Sequence, residues 1–400
     1  MTAIPGKPRL LPRGGHAVAA ALGGLLAIAA GIGVGRFVYT PILPPMVAEL
    51  GLSRSAAGLI ASANFLGYLI GALAAALPSL PGSRRAWVLG ALSASVVTTA
   101  AMGIADTFPE FVGLRLVGGI ASAFVLIIGS TLVLEHLADM RRSALSALHF
   151  AGVGSGIAVS AALVAGLLAL GQSWRVLWLA SGALACVALG AVAALLPRGA
   201  TPAGDGGPSR AGAPPSPELR RLTVAYGLYG FGYVITATFI VAIVRATPAI
   251  RALEPAIWIV VGLSAAPSIG IWTRTAARTG LPVAFALACV IEAGGVVASV
   301  AWPTATGIFV AAVLLGGTFM GLTALGLIWA RRLATGDPRR ALAMVTGAFG
   351  LGQIIGPAFA GIVSDHLGSF LVPSIAAAAA LLIAAGLAIK DGDGAAGRPG

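Results

Sequence analysis

"FVGLRLVGG" (residues 111–119) recurs 198 residues later as "FVAAVLLGG" (309–317). Three other segments recur in the same order at nearly the same offset: "DMRR" (139–142) as "DPRR" (337–340), "GVG" (152–154) as "GLG" (350–352), and "GVGRFVYT" (33–40) as "GFGYVITA" (230–237). Each match is weak in a glycine-rich chain, but four in one order indicate an internal duplication. The polar groups are not duplicated, since Arg36 aligns with Tyr233, Arg115 with Val313 and His149 with Gly347. Unequal lining of one shared pocket would explain this.

Composition assigns the duplicated unit to the membrane. The 400 residues are 58% hydrophobic and only 10% charged, with a mean hydropathy of +0.97. Soluble domains contain about 25% charged residues. The 56 glycines suit helices that pack closely in lipid, and the alternating short strands of a membrane barrel are absent from the sequence pattern. The sequence therefore predicts a polytopic helical membrane protein.

Apolar runs of about 20 residues predict twelve transmembrane helices. They lie at 17–43, 54–77, 86–104, 109–134, 143–169, 174–196, 221–244, 254–273, 281–300, 305–330, 341–363 and 370–389. If the N-terminus is inside, 19 of the 25 Lys and Arg residues fall in cytoplasmic segments. The positive-inside rule then predicts that both termini are cytoplasmic. The net charge of +12 reflects these basic pairs between spans, so nucleic-acid binding is not indicated.

The predicted fold is all-α, with two parallel six-helix repeats. We predict a cytoplasmic tail (1–16), a first six-helix bundle (17–196), a linker rich in Gly, Pro and Ser (197–220), a second bundle (221–389) and a second tail (390–400). Six spans per half give both halves the same orientation. Parallel repeats of this kind place a transport site near the midplane between the halves.

One charged residue stands out in the first apolar run, within "GIGVGRFVYTPILPPM" (31–46). A lone charge in hydrocarbon costs about 2.5–3.5 kcal/mol on insertion scales. Arg36 therefore either reaches water at the membrane edge or faces a polar cavity. Tyr39 and Thr40 follow at i+3 and i+4 and form one polar face with it, which favours the cavity. The prolines after Arg36 are expected to bend and end the helix.

These segments together resemble the major facilitator superfamily over essentially the whole chain. Arg115 followed by "LVGG" resembles the arginine motif of its fourth helix, and "GQIIGPAFAG" (352–361) is similar to its glycine–proline hinge motif, here in the eleventh span. More narrowly, residues 31–46, "SANFLGYLIGA" (62–72) and "HFAGVGSGI" (149–157) resemble the YbfB/YjiJ-type branch. The resemblance implies a first helix that lines a central cavity and a peripheral ninth helix. The loop "LPSLPGSRR" (77–85) departs from the family pattern because it lacks an acid, which puts the usual gating role of that acid in doubt.

Polar side chains inside the spans are the candidate site residues. We predict that eight of them bind the substrate: Arg36, Tyr39, Asn64, Tyr68, Arg115, Tyr229, Tyr233 and Gln353. Arginine is a permanent cation with planar donors suited to a carboxylate, so the two arginines favour an anionic substrate. A membrane-edge anchor is the alternative for both arginines, and an interhelical hydrogen bond is the alternative for Asn64 and Tyr68. Tyr226, which begins the tyrosine row, is assigned to the interfacial belt.

Two other buried titratable residues are candidates for proton coupling. Glu292 is the only carboxylate deep inside a span, and an intramembrane acid is a functional hypothesis by default. His149 is the only histidine well inside a span, and histidine titrates near physiological pH. A structural, hydrogen-bonded histidine is the alternative for His149. The peripheral position implied for the ninth helix argues against Glu292.

The sequence thus predicts a secondary transporter of a bacterial inner membrane that moves a small organic molecule, with H⁺ as the coupling ion and export as the favoured direction. We expect a monomer without a cofactor or a metal. A membrane-embedded enzyme is one alternative, but four scattered histidines and no paired carboxylates supply no catalytic cluster. A channel is the other alternative. The glycine strings do not form a phosphate loop, because no strand precedes them and no lysine follows.

Overall fold

The computed structural model describes residues 13–77, 80–197, 214–335 and 338–390, and within these ranges its regular structure is entirely helical. The first half contains eight α-helices: α1 Arg13–Ile28, α2 Tyr39–Leu50, α3 Arg54–Ala75, α4 Arg84–Ala101, α5 Phe108–Asp139, α6 Ser146–Phe150, α7 Gly152–Ala169 and α8 Trp174–Leu195. The second half contains seven: α9 Pro217–Ala246, α10 Glu254–Ala265, α11 Ser268–Thr279, α12 Leu281–Ala301, α13 Ala305–Leu333, α14 Pro338–Leu367 and α15 Leu371–Ile389. The predicted all-α fold is confirmed.

Eleven helical segments of the described chain are long and apolar enough to cross a membrane. The predicted third span, which corresponds to α4, is not among them. This helix begins with Arg84 and Arg85 and carries several hydroxyl side chains, so its hydropathy is lower. It nevertheless packs against α5 and α8, which are both apolar enough to cross a membrane. Counted with α4, the helices make the predicted twelve.

The first span is interrupted before its prolines, not at them. Residues Ala29–Val34 form a π-helical turn, residues 35–38 form a further turn, and α2 then continues to Leu50. Pro41 explains the position of the break. Its ring would clash with the carbonyl of the residue four positions earlier in a continuous helix, so proline fits only in the first turn, and a new helix begins just before it. The prediction that the prolines end the span was wrong: Pro44 and Pro45 lie inside α2, which ends at Leu50 and is followed by Gly51 with φ +64°.

The predicted eighth span is also broken. We expected one helix over 254–273, but α10 ends at Ala265 and α11 begins at Ser268. Pro267 lies between them, and proline cannot donate the backbone hydrogen bond that would continue the helix. The ninth α-helix begins at Pro217, four residues before the expected start of its span, and Ser216 caps it by accepting from Leu219 N at 3.2 Å. Most of the predicted linker lies outside the described residues, so the domain boundaries stay a prediction.

Two helix pairs make the most extensive contacts between the halves, and we call these contacts the seam: α3 with α14, and α7 with α10. Glycine brings the backbones together in both pairs. A Cβ atom at Gly58 would lie 2.9 Å from the carbonyl carbon of Pro357, and one at Gly154 would lie 2.7 Å from Ala266 Cα. Small residues permit this kind of close approach in membrane helices. The two halves therefore touch through backbone at these positions.

At the face predicted to be outer, α14 caps the start of α3. Asp365 accepts hydrogen bonds from the backbone N of Arg54 (2.9 Å) and of Ser55 (2.7 Å), and from the Ser55 hydroxyl. Arg54 Nη1 donates to Ser364 O at 2.7 Å in return. A carboxylate at a helix N-terminus satisfies free N–H groups and complements the helix dipole. We call this set of contacts between the halves the outer latch.

Removing the latch carboxylate is expected to favour opening of the outer face. Loss of a helix cap costs about 1 kcal/mol, which corresponds to a shift of about fivefold in a two-state equilibrium. In a background without Cys186 and Cys289, Asp365→Ala should therefore increase maleimide labelling of Ser62→Cys by about that factor. Asp106→Ala is the matched control, because Asp106 pairs with Arg175 at 2.5 Å within the first half. Equal labelling of the two variants would contradict the latch.

Candidate functional site between the two halves

Arg36 lies in the interrupted part of the first span and is buried, with 6% of its surface exposed. Its Cζ atom is 4.3 Å from the ring centroid of Tyr68, 4.5 Å from that of Phe65 and 5.5 Å from that of Phe37. Its Nε and Nη2 atoms are buried and have no partner that meets hydrogen-bond geometry among the described residues, although the Tyr68 hydroxyl lies nearby. The side chain is thus inside the protein, not at the membrane edge, and two of its donor atoms are unused.

Arg115 is equally buried but uses its guanidinium differently. Nη1 donates to Gly35 O and Nη2 to Arg36 O, each at 3.0 Å, and the Cζ atom lies 4.9 Å from the centroid of the Tyr39 ring. The interruption of the first helix frees carbonyls of this kind, and a buried carbonyl without a donor is costly. Asn64 Nδ2 in turn donates to Arg115 O at 2.9 Å. In this conformation Arg115 stabilises the backbone at Arg36 by hydrogen bonds.

The remaining candidates of the first half separate into two groups. Tyr68 contacts Arg36, as described above. Tyr39 packs between helices of the first half instead. Its hydroxyl donates to Ala57 O at 2.8 Å, and its ring centroid lies 6.3 Å from that of Trp178. Asn64 keeps one free acceptor, because its Oδ1 atom has no partner in the described chain. The structure therefore brings Tyr68 to Arg36, and it brings Tyr39 and Asn64 to Arg115.

The second half contributes a row of near-parallel rings, which we call the aromatic stack: Tyr226, Tyr229, Tyr233, Phe319 and Phe349. The ring of Tyr233 lies 5.8 Å from that of Phe319 at 7° and 5.8 Å from that of Phe349 at 3°. Gln353 Nε2 donates to the Tyr233 hydroxyl, whereas Gln353 Oε1 has no partner among the residues described. Tyr229 donates to Phe319 O at 2.5 Å. Assignment of Tyr226 to the interfacial belt was wrong, since it is 1% exposed and donates to Thr323 O.

Arg36 and the aromatic stack meet where the two halves join. The edge of the Phe37 ring packs on Phe319, with the centroids 5.9 Å apart. Thr40 Oγ1 donates to Ala237 O at 2.8 Å, and Trp258 Nε1 donates to Phe37 O at 3.1 Å. The guanidinium of Arg36 is close enough to Tyr233 for the two groups to interact electrostatically. We call Arg36, Tyr68, Tyr233 and Gln353 the interface site.

Glu292 lies in α12 and is fully buried. This helix does expose one face, through Val283, Leu287 and Val290, as expected of a peripheral helix. The carboxyl group points the other way, towards the neighbourhood of Thr318 and Tyr229. Neither of its oxygens has a partner that meets hydrogen-bond geometry within the described chain. The helix is thus peripheral while its acid is internal and close to the aromatic stack.

His149 lies in the other half and has packing contacts. Its Nε2 atom is 3.0 Å from Ser130 Oγ, and its ring packs edge-on against Phe150 with the centroids 4.8 Å apart. Gly24 leaves room for the imidazole, because a Cβ atom there would collide with it. These contacts join helices of the first half, while the Nδ1 atom has no partner that meets hydrogen-bond geometry in the described chain. The two candidates for proton coupling therefore do not form one cluster.

Sequence reasoning missed the apolar part of the site: Phe37, Phe65, Phe319, Phe349 and Trp258. Phenylalanine is a common core residue, so nothing marks these rings within apolar spans. One signal was available. The i, i+3, i+7 row of Tyr226, Tyr229 and Tyr233 forms a single aromatic face, which needs flat partners on a neighbouring helix.

One protein family and two known relatives match this chain by sequence. A protein family described as "Uncharacterised MFS-type transporter YbfB" matches residues 28–389. The "Gallate transporter" of Pseudomonas putida is 32% identical over 159 residues, which cover 40% of this chain and 35% of that protein, so the match spans about a third of that relative's length. The "Chloramphenicol resistance protein" of Streptomyces lividans is 27% identical over 383 residues, covering 90% of this chain and 94% of that protein.

Two solved structures share the fold. A variant of the nucleoside transporter NupG has a TM-score of 0.70 at 13% identity, covering 94% of this chain and 97% of the other. A bacterial homologue of the human lysosomal transporter Spinster, in an inward-facing and occupied conformation, has a TM-score of 0.71 at 14% identity, covering 95% and 97%. At such low sequence identities these matches show that the fold is shared and nothing further.

Proposed function

The chain belongs to the major facilitator superfamily, in the family of YbfB-type transporters, and we propose that it moves a small organic anion by proton-coupled alternating access. It is a multi-pass membrane transporter and not an enzyme, because the family to which it belongs is one of transporters. In this proposal the two halves rock about the interface site and expose it to one side of the membrane at a time.

One observation carries the anionic part of the proposal. Arg36 is buried between the halves, and two of its donor atoms lack a partner among the described residues. A buried, unpaired cation is costly, so a site that keeps one is expected to complete it with a ligand of opposite charge. Bound between the halves, such a ligand could favour one state over the other, as a cargo must.

Glu292 is the residue that we propose for proton coupling. An ionised carboxylate without a partner is expensive to bury, so the carboxyl group is expected to be neutral in this closed arrangement and to release its proton when water reaches it. Its position near Tyr229 would connect that event to the aromatic stack. His149 already has a partner in Ser130 and lies in the other half. We therefore rank Glu292 above His149.

The relatives support a small organic substrate, since they are named for gallate and for chloramphenicol. The name of the resistance protein also favours export. We propose that the protein acts as a monomer in a bacterial inner membrane, with both termini in the cytoplasm as the distribution of basic residues predicts.

Reconstitution tests the proposal. Purified protein in proteoliposomes is expected to take up labelled gallate, an organic anion, with saturable kinetics, and a protonophore should abolish any accumulation above equilibrium. Saturable uptake of chloramphenicol, which is uncharged, without uptake of gallate would contradict the anionic part of the proposal. Liposomes without protein provide the background rate. Uptake that rises linearly with concentration, without saturation, would instead support a channel. Saturable uptake that ignores the protonophore would contradict proton coupling alone.

A further inference from the structure

The two unpaired donors of Arg36 lie on the same edge of its guanidinium group. Nε and Nη2 point their N–H bonds in parallel, in the plane of the group, and neither has a partner in the described chain. Two parallel N–H bonds match the two oxygens of a carboxylate, which is the bidentate geometry preferred by arginine. We call these two atoms the Arg36 edge.

Aromatic rings restrict how a ligand can reach this edge. Tyr68 and Phe65 lie against the guanidinium at 4.3 and 4.5 Å from its Cζ atom, in cation–π geometry. Together with the 6% exposure of Arg36, these rings leave little room for water around the cation. An anion is expected to approach where donors are still free, which is the Arg36 edge.

The second half places aromatic rings close to Arg36. Tyr233 is within 7° of parallel to both Phe319 and Phe349, and Arg36 interacts electrostatically with Tyr233. Tyr233 also stacks on Tyr229, with the centroids 5.1 Å apart. Parallel rings at centroid distances of 4.5–7 Å form favourable offset stacks, so a planar ligand is favoured beside this cluster of rings. A saturated ring is puckered and cannot make the same contact.

The number of free cationic groups at the interface site limits the net charge of the anion that it can bind. Arg115 is the other buried arginine near this site. Its two terminal nitrogens donate to the carbonyls of Gly35 and Arg36, which leaves its Nε as a single donor without a partner among the described residues. The only lysines in the sequence are Lys7 and Lys390, far along the chain from the residues of this site. One free cationic edge suits a monoanion and leaves a second acid group of a ligand without a partner.

We propose that the interface site takes a planar aromatic monocarboxylate, with its carboxylate on the Arg36 edge and its ring against Tyr233. This inference rests on the proposed transport function and specifies its substrate class.

Three ligands of similar size separate the two parts of the proposal. Calorimetric titration of the full-length protein in detergent should show that benzoate binds at least tenfold more tightly than benzamide, which lacks the charge. It should also bind several-fold more tightly than cyclohexanecarboxylate, which lacks the flat ring. Equal affinity for benzamide would overturn the carboxylate part, and equal affinity for cyclohexanecarboxylate would overturn the aromatic part.

Two variants assign each part to a side chain. Arg36→Lys keeps the charge but removes the paired donors, and it should weaken benzoate binding about tenfold, whereas Arg278→Lys on exposed α11 should leave it unchanged. Tyr233→Leu should remove the preference for benzoate over cyclohexanecarboxylate. An unchanged thermal midpoint in detergent shows that each variant is folded. If Arg36→Lys binds benzoate as tightly as the unaltered protein and Tyr233→Leu still prefers benzoate to cyclohexanecarboxylate, the assignment to this site is wrong.

The proposal and the transport function fail separately. If none of the three ligands binds and gallate is not taken up, while chloramphenicol, which has no carboxylate, is still taken up with saturation, the substrate class is wrong and the transporter stands. If no solute is taken up with saturation, the proposed transport function itself is lost.

Discussion

Arg36→Gln is expected to lower the initial rate of saturable uptake in proteoliposomes by at least about 100-fold. The substitution removes the buried cation together with both donors of the Arg36 edge. Hydrogen bonds to charged groups contribute about 1.5–3 kcal/mol each, so losing two corresponds to two or more orders of magnitude. Folding should survive, because Arg115 donates to the backbone carbonyl of residue 36, which glutamine retains.

Arg175→Gln is the matched control for this loss. Arg175 belongs to the same half but is partly exposed and pairs with Asp106. Its replacement should leave uptake within about twofold of the unaltered protein, as expected for an exposed ion pair. Near-normal uptake by Arg36→Gln at equal reconstituted amounts would remove Arg36 from the binding site, whatever the control does.

Glu292→Gln is expected to abolish accumulation driven by a pH gradient while leaving uptake down a substrate gradient. Glutamine keeps the shape of the neutral acid but cannot release a proton. With one proton per substrate, a gradient of one pH unit supports an accumulation of about tenfold, because one unit is worth about 1.36 kcal/mol. Accumulation by the variant should fall to the equilibrium ratio of one.

His149→Gln provides the comparison, since it alters the other candidate. This variant should keep its response to the gradient, because His149 is held by Ser130 and Phe150 within the first half. If His149→Gln loses the response while Glu292→Gln retains it, the roles assigned here are reversed. Loss in both variants would indicate that the two residues act in one pathway.

Hydropathy located most of the helices well. The predicted spans 174–196 and 54–77 correspond to Trp174–Leu195 and Arg54–Ala75. The interruptions were harder to find, because a break in a membrane helix is tolerated only where other helices satisfy its freed backbone groups. Here Arg115 and Trp258 supply the donors, from 79 and 221 residues away in the chain. Contacts over such separations leave no local pattern.

The candidate site was predictable to the extent that its residues are polar. Arg36, Tyr68, Tyr233 and Gln353 stand out because each is unusual inside an apolar run, and the structure brings them together between the halves. The direction of each side chain was not predictable. Glu292 shows this most clearly, since its helix is peripheral, as the family resemblance implied, while its carboxyl group faces inward.

The seam has a consequence for how fast the protein can turn over. Gly58 and Gly154 place backbone against backbone, so few side chains must change rotamer when the helices part. Interlocked bulky residues would have to pass one another, and that would raise the kinetic barrier to the motion. In the proposed rocking motion, a contact of this kind would let the helices separate and return over a low barrier in every transport cycle.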